Sequence, residues 1–201
     1  MDINTSALRG KHVYLEILNP SHEAELKLLA KDERLWEFTK TLLINDSYDD
    51  QFRRYFNTAL DPNYMSGQKS FVIRLTSNSA IIGMTRFYKI DELNKRLSIG
   101  YTWYIPEVWG KVHNKECKLL LLQYIFEVLQ FNRAEFEVAH QNIRSQKAVE
   151  KIGGLKEGVL RKHSYRGDGS TRDTVVFSII NDEWPSKKEK LLQLISENEN
   201  Q

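Results

Sequence analysis

L-S-I-G-Y-T-W-Y-I-P-E-V-W-G-K-V-H-N-K-E-C-K, Leu97–Lys118, is the stretch that decides the fold. Leu97–Ile105 is a β-branched and aromatic run that reads as a strand, and Pro106 closes it. Beyond Lys118, the apolar positions Leu119, Leu122, Ile125, Phe126 and Leu129 recur at helical spacing, which predicts a central amphipathic helix. Ala134–Ala139 returns to strand. Strand, helix, strand over 97–139 is a crossover unit, and such a unit favours a parallel pair. Open sheets bind ligands where the strand arrangement switches, outside the carboxyl ends of the strands, which here points to Tyr104–Asn114.

Upstream, His12–Leu18 alternates with period two and predicts a first strand ended by Asn19-Pro20. Ser21 is placed to cap a helix whose apolar positions are Ala24, Leu28, Leu29, Leu35 and Trp36, and a second helix is predicted over Tyr48–Leu60 with Phe52, Tyr55, Phe56 and Ala59 on one face. Ser70–Leu75 and Ile81–Ile90 join Leu97–Ile105 as an antiparallel meander, turned by Ser77-Asn78 and by the polar Asp91–Arg96. Downstream, Asn142–Ile152 predicts a short helix stopped by Gly153-Gly154. Lys156–Tyr165 pairs with Arg172–Ile180 as a hairpin across R-G-D-G-S, and a charged helix follows Trp184-Pro185. The expected fold is α/β (α+β): a mixed, mostly antiparallel, seven-stranded twisted sheet with helices on both faces, in the order β-α-α-β-β-β-α-β-α-β-β.

Composition bounds the rest. The chain has 201 residues, 29 Lys+Arg against 27 Asp+Glu and a net charge of +2, which leaves no broad basic surface for nucleic acid. Cys117 is the lone cysteine, so no internal disulfide or multi-cysteine metal site can form. No apolar run exceeds Leu119–Leu122, and the N-terminus carries Asp2 with no apolar signal region, so a cytoplasmic protein without membrane partners is expected. His12, His22, His113, His140 and His163 show no metal-ligand spacing, and no metal is expected. G-x-S-x-G, Walker and G-x-G-x-x-G motifs are missing, which removes support for hydrolase and nucleotidase chemistry.

Two constellations could carry chemistry. In Glu107–Lys118, Gly110 allows a ligand to approach the backbone, the start of the following helix offers free N–H groups to an anion, and Lys111, His113, Lys115 and Lys118 supply cations suited to a polyphosphate. Equally, Asn114 could simply cap the helix while the lysines are solvated. In Asn142–Gly154, Asn142 is a good N-cap, and Ser145, Ala148, Val149 and Ile152 share a face whose first turn is small enough to let a ligand pass between strand and helix.

These segments, in this order, resemble the GNAT acetyltransferase superfamily, in the branch similar to the ribosomal-protein N-terminal acetyltransferases. The resemblance spans about residues 8–184 and rests on L-R-G-K-H-V-Y-L, Ile99–Gly110, N-I-R-S-Q-K-A-V-E-K-I-G-G, Glu157–Arg161, Asp168–Ile180 and Glu183-Trp184. It implies one acetyltransferase domain over 1–201, with a charged C-terminal helix over 185–201. Acetyl-CoA would be the donor, a peptide N-terminus or small-molecule amine the acceptor, and the chain a monomer or homodimer. Carried over by position, the resemblance implies that the backbone of Trp103, Tyr104 and Ile105 pairs with pantetheine amides. Gly110, Lys111, Val112, His113, Asn114 and Lys115 would surround the pyrophosphate, and Asn142 and Ser145 would contact the cofactor arm. The superfamily's usual Q/R-x-x-G-x-G/A loop has a small residue where this chain has Val112. That departure, together with the absence of the family's tyrosine from its usual position at Val149, motivates an alternative, a GNAT-fold module that binds or senses acyl-CoA without turnover.

The implied chemistry is direct attack of a neutral amine on the thioester. Many superfamily members protonate the departing thiolate with a Tyr seven positions after the Asn. Here that position is Val149, and Ser145 is the nearest donor, hence the candidate general acid. For the base, Ser98 stands where relatives often carry a carboxylate, and Glu135 and Glu137 alternate on the next strand; Glu137 is the named candidate. An α-amine with a pKa near 8 is roughly a tenth neutral at pH 7 and needs less help than a lysine. Trp36, Phe38 and Tyr165 are candidates for lining an acceptor pocket, or are core.

Overall fold

The computed structural model describes residues 3–39, 41, 43, 47–166 and 168–199. Asp2, Gly167 of the hairpin turn and the end of the tail at 200–201 lie outside them. The strands are β1 (Val13–Ile17), β2 (Gln68–Leu75), β3 (Ile81–Asp91), β4 (Arg96–Tyr104), β5 (Arg133–Ala139), β6 (Leu155–Tyr165) and β7 (Thr171–Ile180). They form one sheet in the order β1-β2-β3-β4-β5-β7-β6. Every pair is antiparallel except β4 and β5, which are parallel, as the crossover requires. The helices are α1 (Glu23–Leu29), α2 (Tyr48–Leu60), α3 (His113–Gln123), α4 (Ile143–Lys151) and α5 (Trp184–Glu199).

Alternation along the strands builds two cores, one on each face. Phe87, Leu97, Ile99, Ala134, Phe136, Val138, Val175, Phe177 and Ile179 pack under α3, α4 and α5. Val72, Met84 and Trp103 pack under α2, where Phe52, Tyr55, Phe56 and Ala59 supply the expected apolar stripe. Each such side chain contributes roughly 1.5–3 kcal/mol on burial.

Three local expectations change. The chain after Asn19 begins as a single 3-10 turn, with the Asn19 side chain rather than Ser21 as the cap, and becomes α-helical only at Glu23. The change of pitch rotates the buried stripe onto Leu26 and Ala30, leaving Ala24 and Leu28 exposed. A new 3-10 turn over Glu33–Leu35, capped by Asp32, interrupts the predicted first helix. Secondly, α3 is buried nearly all round, because Leu191 and Ile195 of α5 and Trp184 cover its outer side. Its end continues as one π-helical turn over Tyr124–Val128. Thirdly, Asn114 does not cap α3; the helix is already under way at His113, with Val112 at the N-cap and no side-chain cap bond.

Candidate active site

The parallel pairing of β4 with β5 covers only Arg96–Arg133, Leu97–Ala134 and Ser98–Glu135. Beyond Ser98 the strands part, although β4 runs on to Tyr104 and β5 to Ala139. The β4 edge from Gly100 to Tyr104 therefore has no strand on its β5 side. A register shift against β3 between Met84 and Arg86 marks a bulge there, with Tyr101 held at φ 51°. A bulge next to a parting of strands re-aims backbone groups and side chains into the opening.

At the far end of the gap stands the start of α3. Its first helical bond runs from the Glu116 N–H to the Val112 carbonyl at 3.0 Å, so the amides of the preceding turn have no acceptor within the helix. Gly110, at φ +76° and with open space where a Cβ would stand, makes the turn just before these amides. Val112, the side chain that departs from the superfamily loop, is partly buried against the core. A free helix N-terminus beside a glycine turn and an unpaired strand edge fits a pyrophosphate followed by an amide-bearing arm.

The lysines divide. Lys111 is exposed. Lys115 turns to α5 and bonds Asn198 Oδ1, and Lys118 is buried, its Nζ donating to Thr102 Oγ1 at 3.0 Å. Burial pulls the Lys118 pKa below its usual value and pushes that of the neighbouring Cys117 up. The expectation that Lys115 and Lys118 are free for phosphates is thus corrected: α5 and the sheet edge give both amines internal partners. His113 is half-buried and its pKa is lowered, by burial first and then by His12 and Lys111.

Glu116, unremarked in the sequence, is a principal anchor. Its carboxylate accepts the backbone N–H groups of Lys11 (2.9 Å), His12 (2.8 Å) and Val13 (2.7 Å), tying the start of β1 to α3. Gly10 makes room for it, since a Cβ there would lie 2.6 Å from Glu116 Cδ.

On the β5 side, Asn142 caps α4, its Oδ1 accepting the Ser145 N–H at 3.0 Å. Ser145 is half-buried in the first turn. The fully buried residue there is Gln146, which donates to the carbonyls of Ala139 (3.3 Å) and His140 (2.6 Å) and so fixes α4 to the end of β5. Arg144 lies over the Trp109 ring at 4.3 Å, while Arg34 lies at 5.5 Å from the same ring and Trp109 Nε1 donates to the Tyr104 carbonyl. The loop after β4, α4 and the N-terminal segment meet at this tryptophan.

The sheet face under α2 holds the other candidates. Because Ala134, Phe136 and Val138 point to the α3 core, Glu135 and Glu137 share the α2 side, as does Ser98, whose neighbours Leu97 and Ile99 are core. Glu135 is bonded to Arg133 Nε at 2.7 Å, and Glu137 is ion-paired with Lys89. Ser98 Oγ is buried without a partner. Tyr88 and Tyr101 meet edge to face at 5.3 Å. Burial pushes both phenols up, Tyr101 to about 12, so each keeps its proton at neutral pH. Of the proposed acceptor aromatics, Trp36 is core, packed on Tyr55 and Trp103 with Nε1 bonded to the Ala30 carbonyl. Phe38 offers its carbonyl to Arg172 Nη1 at 3.2 Å, and Tyr165 is exposed beside the hairpin turn. Trp103 is likewise core by its side chain, donating to Tyr55 Oη at 3.0 Å.

The family profile described as acetyltransferase (GNAT) domain matches residues 12–154. The chain belongs to the GNAT acetyltransferase family. YdaF of Bacillus subtilis (strain 168), a candidate ribosomal N-acetyltransferase, is 28% identical over 184 residues, 89% of this chain and 97% of its own length. A GCN5-related N-acetyltransferase from Brucella melitensis superposes with TM-score 0.82 at 26% identity, covering 94% of this chain and 84% of that one. RimJ of Mycobacterium smegmatis, solved in complex with CoA-disulfide, shares the fold with TM-score 0.76 at 18% identity, over 90% of this chain and 88% of that one. The expected family and GNAT fold therefore stand, and the protein is an acetyltransferase. No helix among the described residues is long and apolar enough to cross a membrane.

Proposed function

We propose that this GNAT protein transfers the acetyl group of acetyl-CoA to a primary amine by direct attack of the neutral amine on the thioester. The observation that carries the reading is the gap between β4 and β5, which opens past the Ser98–Glu135 pair and ends at the uncapped start of α3. In this reading the β4 edge at Trp103, Tyr104 and Ile105 pairs with the pantetheine amides. The amides of Val112, His113, Asn114 and Lys115, which follow the Gly110 turn, hold the pyrophosphate, with exposed Lys111 beside them. Acetyl-CoA, when bound, supplies an activated acyl group with a good thiolate leaving group.

The chain's own part is to orient the amine and manage protons. Ser145, whose amide is fixed by Asn142, donates its hydroxyl proton toward the departing sulfur. The amine enters from the α2 side, where Glu137 is the nearer carboxylate to take its proton, in competition with Lys89. Glu135, tied to Arg133, is left a structural role. The alternative, a module that binds acyl-CoA without turnover, keeps its motive in Val149 at the tyrosine position, while Val112 lies partly buried against the core.

The test has two arms. Acetyl-CoA should raise the melting temperature, since a ligand that binds only the native state stabilises it, and a panel of peptide N-termini, amino acids, polyamines and aminoglycosides should include an acceptor that releases CoA. Stabilisation without CoA release across the panel would establish the non-catalytic module instead; no stabilisation would remove both readings.

A further inference from the structure

Arg86, in the middle of β3, is 1% exposed and lies between two aromatic faces, with its guanidinium carbon 4.9 Å from the Tyr55 ring centre and 4.4 Å from that of Tyr101. Its one hydrogen bond is a long one, from Nη1 to Gln68 Oε1 at 3.4 Å; Nε and Nη2 have no partner. Those two atoms carry the parallel N–H groups along one side of the guanidinium, the edge that grips a carboxylate through two bonds. Aromatic faces stabilise the charge but satisfy none of its donors. A buried cation left in this state is costly unless something pairs with it.

A second buried arginine shares the region. Arg172 of β7 is 7% exposed, bonds the Phe38 carbonyl through Nη1 and leaves Nε unpaired. Burial lowers its pKa, opposed by the charge of Glu137, and Tyr88 and Tyr101 are within its electrostatic reach. Among the described residues the region thus holds Arg86, Arg172 and Lys89 against Glu137 and Glu135, which are answered by Lys89 and by Arg133. Tyr101, which covers Arg86, is the same residue that the bulge holds at the mouth of the β4–β5 gap. The positive excess sits where the acceptor amine would enter.

We infer that the acceptor is an amine bearing a carboxylate a few atoms from its nitrogen, and that the free Nε–Nη2 edge of Arg86 binds this carboxylate, with Arg172 as the second cation. The inference rests on the amine-acetylation reading above. It also disfavours polyamines, whose positive charges would meet two guanidinium groups. Nearby cations lower the pKa of the bound amine and so raise its neutral, attacking fraction. Arg86 acts on the acceptor's position and protonation and takes no part in bond breaking.

Matched acceptor pairs test the inference by CoA release. L-alanine with L-alaninamide probes an α-carboxylate; a Glu-Ala peptide amide with its Gln-Ala counterpart probes a side-chain carboxylate. In one of the two pairs the acid should exceed its amide at least tenfold in kcat/KM, mainly through KM, and the pair that responds identifies which carboxylate is read. Arg86→Met and Arg86→Lys should each bring that ratio to about one while acetyl-CoA still raises the melting temperature as in the parent protein. The lysine variant keeps the charge and loses the fork, so a ratio it preserves would overturn the bidentate contact. Amides, spermidine or O-phosphoethanolamine outperforming the acids would overturn the carboxylate assignment. If no amine releases CoA, the acetylation reading fails by itself. The Arg86 site is then judged by whether the acids, in the presence of CoA, stabilise the parent protein but not Arg86→Met; equal shifts in both proteins would overturn it.

Discussion

Removing the Glu116 carboxylate should unfasten the start of β1 from α3. Three backbone N–H groups bond to it at 2.7–2.9 Å, and the side chain is 5% exposed. A hydrogen bond to a charged group is worth about 1.5–3 kcal/mol, and a buried donor stranded by a deletion costs about 1–3 kcal/mol. Lys11 is exposed and His12 half-buried, so water can reach their amides, whereas Val13 is buried. Counting one full loss and two partial ones gives about 3–4 kcal/mol for Glu116→Ala. At about 2–4 °C per kcal/mol for a chain of this size, the melting temperature should fall by roughly 6–16 °C. Glu116→Gln, which keeps one accepting oxygen and loses the charge, should fall between the parent and the alanine variant. Urea unfolding followed by far-ultraviolet circular dichroism measures the difference. A loss under about 1 kcal/mol in Glu116→Ala would refute the reasoning, since it would mean that water satisfies all three amides as well as the carboxylate does.

Lys118→Met should be neutral or stabilising at pH 7, because it replaces a buried ammonium with an apolar chain of similar length. The native pKa of Lys118 lies below the usual 10.5, so over the window below 10.5 the unfolded chain holds more protons than the folded one and the parent protein gains stability as pH rises; the advantage of the variant must shrink over that window, which unfolding at pH 7 and pH 10 would reveal. Gly110→Ala has room for its methyl group but is left at φ +76°, so it should cost about 1 kcal/mol in stability and weaken acetyl-CoA binding by calorimetry. Asn142→Ala should cost about 1 kcal/mol through the lost cap of α4. Ser145→Ala should lower kcat about a hundredfold with acetyl-CoA affinity retained, and an unchanged kcat would remove Ser145 from proton transfer.

What could be read from the chain was whatever depends on local periodicity. The seven strands, α2 with its four buried apolar positions, and the Asn142 cap follow from spacing alone. The first helix was misread because a 3-10 start changes the number of residues per turn, and one residue of pitch is enough to exchange Leu28 for Leu26 at the core. The lysines were misread because their partners, Asn198 and Thr102, are 83 and 16 positions away. The parting of β4 from β5 has no sequence period at all; it is a difference in pairing length. Arg86 did leave a trace, the one charged residue within the run Ile81–Tyr88.

In the proposed reaction the two ends of the site would bind negative charge by different physics. At the donor end the sequence concentrates cations in Lys111–Lys118, yet Lys115 and Lys118 have internal partners, so the attraction there would fall mainly to backbone amides and the positive end of α3. Fixed amide dipoles need no side chain to be ordered on binding, which suits a ligand that every turnover must admit and release. At the acceptor end the proposed arrangement is reversed: the guanidinium groups of Arg86 and Arg172 are buried with unpaired donors, and that of Arg86 lies between two aromatic rings. A buried unpaired cation lowers the stability of the free protein, and that strain is relieved only by a ligand of the right charge and shape, so the same groups that cost stability sharpen selection. Replacing Arg86 with an apolar residue should therefore pull stability and selectivity in opposite directions, which a purely structural arginine would not do.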